Sequence, residues 1–527
     1  MIANDKDQPE LIRSLLKPDV YDHPVTDIEL IETHISWVIL TGAYAYKIKK
    51  PVDLGFLDFS TLERRLFCCN EELRLNSRLA AAIYLEVVAI SGSQERPVLH
   101  GHGAAIEYAI KMVQFPQQAQ LDNMLANGEL ENYHMDAIAD LVAGFHTSTD
   151  VAAEDSNFGD PQHVYQPVAE NFTQIRQHIH SNKYDEQLDA LEDWSRGKSS
   201  SLEPVFEQRK RDGYIRECHG DMHLRNLVWF NGEPLAFDCL EFNPALRWID
   251  TLSEVAFLVM DLQDRNQPQL AQRFLNAYLE HCGDYPGMRV LHFYLAYRAL
   301  VRAKVDAIRA GQHGISEAEK QDAEEEFQAY LKLARCYTRI SKPKLVITRG
   351  MSASGKSTLT QPLLELSGAI RIRSDVERKR LFGIKAVAES AAGIDKGIYS
   401  VEAGIKTYEK LLLLANALLE AGITVIVDAA FLKYEQRQPF RELADNRQIP
   451  FVIIEFIASA DTLRQRIKAR KQDVSDADLS VLEHQLATAE PVHESELASL
   501  IEIDTEKAFD AEGLLDQIQK LSGKQGA

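Results

Sequence analysis

The chain has 527 residues, 45% of them hydrophobic, and a net charge of -21. That length is too great for one domain and the apolar content supports sizeable cores. The acidic balance argues against a general nucleic-acid binder or a ligand of anionic membranes, so neither is expected as a partner. The six cysteines form no C-x-x-C pair and have no zinc-ligand spacing, as expected of small buried residues in a reducing compartment. The first residues carry no apolar signal-peptide core, and no apolar run approaches about 20 residues, so a cytoplasmic protein without a membrane span is expected.

Residues 10–17 read as a short helix, and residues 28–33 and 37–40 alternate or run apolar as strands do. Thr41-Gly42 marks a turn, and a further strand follows through Tyr44 to Lys49, ended by Pro51. Side chains on a strand alternate with period two, so Lys47 and Lys49 share a face. Residues 62–79 form a Leu-rich helix with Glu71 and Glu72 at its middle. A strand lysine paired to a helix glutamate is how kinase-like folds hold a lysine on the α- and β-phosphates of ATP. Glu71 is the expected partner, because Leu75 lies four residues on; surface ion pairing is the alternative. Two more strands are expected at 85–90 and 106–115, with Gln114-Phe115-Pro116 as a hinge.

Residues 121–148 and 165–211 are helical in pattern. Then comes Cys218-His219-Gly220-Asp221-Met222-His223-Leu224-Arg225-Asn226, followed after an Asn231-Gly232 turn by an apolar strand expected over 234–242 that carries Asp238. The spacing H-x-D-x-x-x-x-N plus a later Asp has a chemical logic. Asp221 would accept the proton of a substrate hydroxyl, while Asn226 and Asp238 would hold Mg²⁺ against nucleotide phosphates. His219 would brace the loop; capping of turns is the structural alternative for Asp and Asn. Asp250 and Glu254 read as structural braces.

His219-Gly220-Asp221-Met222-His223 through Asn226, with Phe237-Asp238 after it, resembles the H-G-D-x-H-x-x-N loop of the aminoglycoside phosphotransferase and choline kinase-like group. The resemblance covers about residues 25–310. It implies an α+β, two-lobed protein kinase-like domain with Asp221 as base, Asn226 and Asp238 as metal ligands, and Lys47 or Lys49 with Glu71 in the small lobe. No G-x-G-x-x-G precedes the lysine strand, so phosphate cover must come from another loop. Members of the group act on varied small alcohols, so antibiotic modification does not follow. On this basis residues 1–340 form the first domain, with a small lobe over about 25–115 and a helical lobe over about 116–340. Glu317–Tyr337 reads as an acidic, linker-like helix and Ser341-Lys-Pro343 as the boundary.

The remainder, 341–527, alternates strands and helices, as an α/β domain with a parallel sheet does. An apolar strand runs into Gly350-Met-Ser352-Ala-Ser354-Gly355-Lys356-Ser357-Thr358, an ungapped G-x-x-x-x-G-K-[ST]. Its glycines turn backbone N–H groups toward a polyphosphate, Lys356 reaches the β- and γ-phosphates, and Ser357 offers a hydroxyl to Mg²⁺. A strand at 370–375 ends at Asp375, with Arg378 just beyond, and the strand 423–428 ends at Asp428. Ligands sit at such carboxyl ends. Arg466 and Arg470 share one face of a basic helix that would form a lid; a solvated face is the alternative. This half resembles the P-loop kinases that include zeta toxins, gluconate kinase-like enzymes and polynucleotide 5′-hydroxyl kinases. That resemblance makes Asp375 the candidate base and Arg378 a substrate or phosphate contact.

Together the motifs predict a kinase with two ATP–Mg²⁺ sites acting on small-molecule hydroxyls. Two alternatives stand beside it: a first half that binds ATP only to regulate the second, and a second half that phosphorylates nucleic-acid 5′ ends.

Overall fold

The computed structural model describes residues 8–25, 27–53, 55, 57–179, 182–312, 315–339, 342–384, 400–469 and 479–525. The chain folds as two compact units. The first comprises residues 1–137, 144–164 and 206–258, and the second residues 138–143, 165–205 and 259–527. Ile340 and Ser341, beside the expected boundary, lie outside the described residues.

The first unit is built on a six-stranded antiparallel sheet of β1 (Glu29–Glu32), β2 (Ser36–Leu40), β3 (Tyr44–Lys49), β4 (Tyr84–Gly92), β5 (Pro97–Leu99) and β6 (Glu107–Val113), in the order β1-β2-β3-β6-β4-β5. One face packs Trp37, Ile39 and Ile48 against Ile12 and Leu15 of the short helix α1 (Glu10–Leu15). On the other side, α2 (Leu62–Ala80) buries a stripe through Cys68, Cys69, Glu72, Leu75, Asn76 and Leu79. Thr61 caps α2 by accepting the Arg64 N–H at 3.3 Å. After α3 (Leu121–Ala126), the helices α4 (Asn132–Ser148), α5 (Pro161–His178), α6 (Asp185–Arg211) and α7 (Thr251–Asp264) each contribute residues to both units. Two small antiparallel pairs complete the first unit: β7 (Ile215–Glu217) with β10 (Trp248–Asp250), and the hairpin β8 (Leu227–Phe230) with β9 (Glu233–Ala236). The hairpin turns at Asn231-Gly232 with φ of 54° and 86°, as an Asn-Gly turn favours.

The second unit holds α8 (Pro268–Cys282), α9 (Met288–Ala310) and α10 (Glu317–Tyr337). It also holds a five-stranded parallel sheet of β11 (Leu345–Arg349), β12 (Ile370–Arg373), β13 (Val425–Asp428), β14 (Phe451–Ile457) and β15 (Leu500–Asp504), ordered β12-β13-β11-β14-β15. Its helices are α11 (Lys356–Ser367), α12 (Ser374–Leu381), α13 (Val401–Glu420), α14 (Tyr434–Arg447), α15 (Ala460–Ala469), α16 (Leu479–Thr488) and α17 (Ala511–Gln525). Val346, Ile426, Val452 and Ile454 form the core under the sheet with Leu363, Leu364, Leu514 and Ile518. The near-continuous burial of these strands is what a parallel sheet covered on both faces requires.

One expectation changes here. The acidic helix α10 is a packed element and not a linker: Ala323, Phe327, Leu331 and Ala334 are buried, and Phe327 meets the Tyr184 ring edge-on at 5.1 Å.

Candidate functional site

In the first unit, β3 is held between β2 and β6, with Lys47 opposite Val38 and Ile110. The period of two sends Lys47 and Lys49 to one face, where α2 supplies a carboxylate. That carboxylate is Glu72 and not Glu71. Glu72 is fully buried and accepts from Lys47 Nζ at 2.7 Å and Lys49 Nζ at 2.6 Å. Glu71 instead bonds Arg74 at 3.0 Å and lies 3.6 Å from Arg247. The reason is helical phase: Glu72 is in register with Cys68, Asn76 and Leu79 on the buried stripe, and one residue rotates the side chain by about 100° away from it.

The two lysines differ in their remaining partners. Lys47 donates to Asp238, whose carboxylate is 47% exposed, whereas Lys49 is buried, donates to buried Glu241 and sits 4.8 Å from the centre of the Phe59 ring. Burial alone would lower the Lys47 ammonium, but Asp238 and Glu72 raise it well above its ordinary value. Burial also raises Glu241, opposed by Lys49. Glu72 is held below its ordinary value because Lys47 and Lys49 outweigh the effect of burial.

The catalytic-type loop runs from β7 to β8. His219 is buried and its Nε2 donates to the Phe237 carbonyl at 2.8 Å, while its Nδ1 accepts the Asp221 N–H at 3.3 Å. These partners assign the neutral Nε2–H tautomer, and burial lowers the imidazole in keeping with it. Glu254 on α7 accepts the N–H groups of His219 at 3.1 Å and Gly220 at 2.6 Å and also bonds His146 at 2.9 Å. Gly220 has φ 89°, and a Cβ there would lie 2.8 Å from the Leu246 carbonyl, so the loop needs glycine at this point. Asn226 Nδ2 donates to the Asp221 carboxylate at 2.9 Å, and His223 lies 3.4 Å from it.

Asp238 is tied to the same place. The Phe237 N–H donates to the Asn226 carbonyl at 3.0 Å, and Asn76 of α2 accepts the Cys239 N–H at 2.9 Å. The strand expected to carry Asp238 ends earlier, at Ala236, and Asp238 stands in the left-handed region with φ 63°. That conformation is costly for a non-glycine residue, and such strain is found where a side chain must be aimed. Lys47 thus joins Glu72 to Asp238, Asn226 bonds Asp221, and the Phe237 N–H, next to Asp238 in the chain, ties the two groups together. Asp250 is a brace: it takes Arg209 at 2.6 Å and 2.7 Å and caps α7 through the Leu252 N–H at 2.9 Å.

In the second unit, β11 delivers the chain to a loop that begins at Gly350 and enters α11 at Lys356. A Cβ on Gly350 would lie 2.7 Å from the Phe456 carbonyl, and Gly355, with φ 90°, starts the helix. Lys356 Nζ curls back onto the Gly350 and Met351 carbonyls at 3.0 and 2.8 Å. Ser357 Oγ donates to Asp428 at 2.6 Å, from α11 to the end of β13. A cavity of about 260 Å³ lies at the carboxyl ends of the strands; Lys356, Ser357, Asp375, Arg378 and Asp428 line it. Gly355, Ser352 and Thr358 also reach it, while Ser354 is buried beneath, with its hydroxyl 3.5 Å from Lys356. Asp375 is in the first turn of α12 and not on a strand, 3.8 Å from Arg378.

Arg466 does not line this cavity. It donates to Thr505 at 2.8 Å and 2.9 Å and reaches the Ala353 carbonyl of the loop at 3.4 Å. Arg470 lies outside the described residues. The lining residues that carry no motif and escape sequence reasoning include Arg373, Tyr408 and Gln485, whose side-chain oxygen accepts the Ser352 N–H at 2.7 Å. Among the described residues, no helix is long and apolar enough to cross a membrane.

Two loops of this kind, one braced beside a lysine–glutamate pair and one of the P-loop type, define a phosphotransferase. Residues 77–291 match the phosphotransferase enzyme family, and residues 345–492 match an AAA domain of the P-loop kinase type. The uncharacterized proteins Rv2004c of Mycobacterium tuberculosis and Mb2027c of Mycobacterium bovis are each 32% identical over 462 residues, 87% of this chain and 90% of theirs. The chain belongs to the family of these mycobacterial proteins, and it is an ATP-dependent kinase. Among solved structures it is similar to a Plasmodium vivax ethanolamine kinase, 12% identical, covering 60% of this chain and 86% of that one with TM-score 0.38. It is also similar to a Sinorhizobium meliloti gluconokinase, 20% identical, covering 35% of this chain and 94% of that one with TM-score 0.24.

Proposed function

We propose that the chain carries two separate ATP–Mg²⁺ centres, each moving the γ-phosphoryl group to a hydroxyl of a small molecule. The observation that carries this is that each unit brings a motif lysine together with hard oxygen donors and a further aspartate. In the first unit these are Lys47, Asn226 with Asp238, and Asp221; in the second they are Lys356, Ser357 with Asp428, and Asp375. The donor sets suit Mg²⁺, which prefers oxygen ligands and keeps several waters. When bound, that ion would neutralise the charge of the nucleotide phosphates.

The chain's own residues do the rest. Lys47, kept charged by Asp238 and Glu72, binds the α- and β-phosphates, while Lys49 holds Glu72 in place from the buried side. Asp221 and Asp375 take the acceptor hydroxyl proton as each O–P bond forms, a role worth about 10²–10⁴ in rate. Asn226 and His223 fix the Asp221 carboxylate, and Arg378 draws acceptor or phosphate toward Asp375. Arg466, which reaches the Ala353 carbonyl of the loop, would serve the second centre from there. Cys68, Cys69, Cys218 and Cys239 are buried, in keeping with small packing residues of a cytoplasmic protein.

The test is a metabolite screen with γ-labelled ATP and the full chain. Asp221→Asn and Lys356→Ala are expected to remove different labelled products. Wild-type protein that labels no metabolite, or two variants that remove the same product, would overturn the two-centre reading.

A further inference from the structure

Among the described residues β12 is an edge strand: it pairs with β13, and no described strand lies on its other side. Edge strands present open N–H and C=O groups that must be met by something. Here they are met by side chains of one stripe of α8, spaced four residues apart. Gln272 Nε2 and Asn276 Nδ2 donate to the Ala369 carbonyl at 2.7 and 3.2 Å, and Asn276 Oδ1 accepts the Arg371 N–H at 2.8 Å. Gln272 and Asn276 are buried, so these bonds do not compete with water. α8 and β12 belong to the same compact unit. Yet α8 falls within residues 77–291, the stretch that matches the phosphotransferase family, and β12 within the AAA match.

The next residue on the stripe is Glu280. Its carboxylate takes Arg371 Nη2 at 3.0 Å and Arg373 Nη1 at 3.4 Å. Arg371 is buried and reaches across α11, donating to the Ser357 carbonyl at 2.8 Å and Gln361 at 2.8 Å. Arg373 lines the P-loop cavity and is followed directly by Ser374 and Asp375. One carboxylate therefore grips both the strand that delivers Asp375 and, through Arg371, the backbone of Ser357.

We propose that Glu280 is a positioning residue of the P-loop centre, so that a helix from the phosphotransferase stretch completes the second kinase site. This rests on the P-loop cavity being a phosphotransfer centre. Glu280 touches no phosphate; it sets the separation of Ser357 from Asp375, and small misplacements of such groups are costly in rate and not in binding.

The experiment uses the full chain with Asp221→Asn to silence the first centre, and reads Mg²⁺-dependent ATP hydrolysis with water as acceptor. Glu280→Gln is expected to lower kcat about tenfold with KM for ATP within about twofold. Its melting temperature should stay within about 2 °C of the parent. Glu280→Asp, which keeps the charge, should recover at least about half of the turnover. Arg373→Gln should lower kcat, and adding Glu280→Gln to it should cost less than Glu280→Gln alone, since the two act as one unit. A kcat for Glu280→Gln within about twofold of the parent, or additive losses in the pair, overturns the proposal. If Glu280→Gln does not fold, Arg373→Gln decides: unchanged turnover there refutes it. Lys356→Ala in the same background separates the two failures. Hydrolysis that survives Lys356→Ala removes the premise; hydrolysis that is lost there but unmoved by Glu280→Gln removes the positioning role alone.

Discussion

Glu72→Gln and Glu71→Gln are neighbouring, chemically identical changes with opposite expected outcomes. Glu72 has no exposed side-chain surface and accepts one bond from each of two lysines, at 2.7 and 2.6 Å. Hydrogen bonds to charged groups contribute roughly 1.5–3 kcal/mol each. Glutamine keeps one oxygen for one lysine and turns an NH₂ group toward the other, so at least one such bond is lost and a donor faces a donor. Part of the loss is offset: the cluster of Lys47, Lys49, Glu72, Asp238 and Glu241 carries one excess negative charge, which the substitution removes. The net expectation is a destabilisation of about 2–3 kcal/mol. At roughly 2–4 °C per kcal/mol for a unit of about 200 residues, this lowers the first unit's melting temperature by about 4–12 °C. Glu71 bonds Arg74, which is 47% exposed, and meets the buried Arg247 only at 3.6 Å, where Glu217 also serves that arginine, so Glu71→Gln should cost about 0–1 kcal/mol and melt close to wild type. Differential scanning calorimetry on the full chain, comparing every transition of each variant with that of wild type, reads both. A melting temperature unchanged by Glu72→Gln, or a larger loss from Glu71→Gln, would refute the placement of the buried pair.

Two pH-dependent effects follow. Burial would raise the Glu254 carboxyl, but His146, His219 and the Gly220 N–H bring it down to about 2 from 4.5. A depressed carboxylate stabilises the fold above pH 4.5 and loses that contribution as pH falls toward 2, here about 3 kcal/mol. Urea unfolding between pH 6 and 3 should show the loss, and His146→Gln should flatten it; an equal slope in both proteins would exclude this origin. Asp306 goes the other way: burial, opposed by Arg302 and aided by Glu326, raises it to about 7 from 3.8. A raised carboxyl penalises the folded state increasingly as pH climbs from 3.8 through 7, so Asp306→Asn should raise the melting temperature at pH 8 and lose that advantage at pH 4. Equal shifts at the two pH values would count against it.

What could be read from the sequence depended on how local the chemistry is. The P-loop is contiguous, so glycine, lysine and serine at fixed offsets specify its shape, and Lys356, Ser357 and Asp428 do meet at one cavity. The loop from His219 to Asn226 is local in the same sense, and Asn226 lies against Asp221 as its spacing implies. The choice between Glu71 and Glu72 was harder because Leu75 is a helical neighbour of both. The deciding residues were Cys68 and Asn76, each four residues from Glu72, which mark the buried stripe; Phe67, four before Glu71, is 64% exposed. The left-handed turn at Asp238 was hidden because an apolar run through Phe237 reads as continuous strand.

Glu280 shows where such reading stops for a physical reason. As a sequence it is a glutamate in the last turn of a helix, where a negative charge opposes the helix dipole and contributes nothing favourable locally. Its place is set by Arg371, 91 residues away, and by an edge strand whose backbone needs partners. No periodicity encodes that pairing, since each helix and strand satisfies its own pattern without it. The same contact explains why compact packing and motif boundaries divide this chain at different points. The family match to the phosphotransferase ends at residue 291, but the helix just before that end closes the P-loop sheet. Removing residues 268–282 with the first half would leave the Ala369 carbonyl and the Arg371 N–H without their partners and release the strand that leads to Asp375. A P-loop kinase cut at residue 341 would thus retain every motif residue and lack the helix that holds two of them in register.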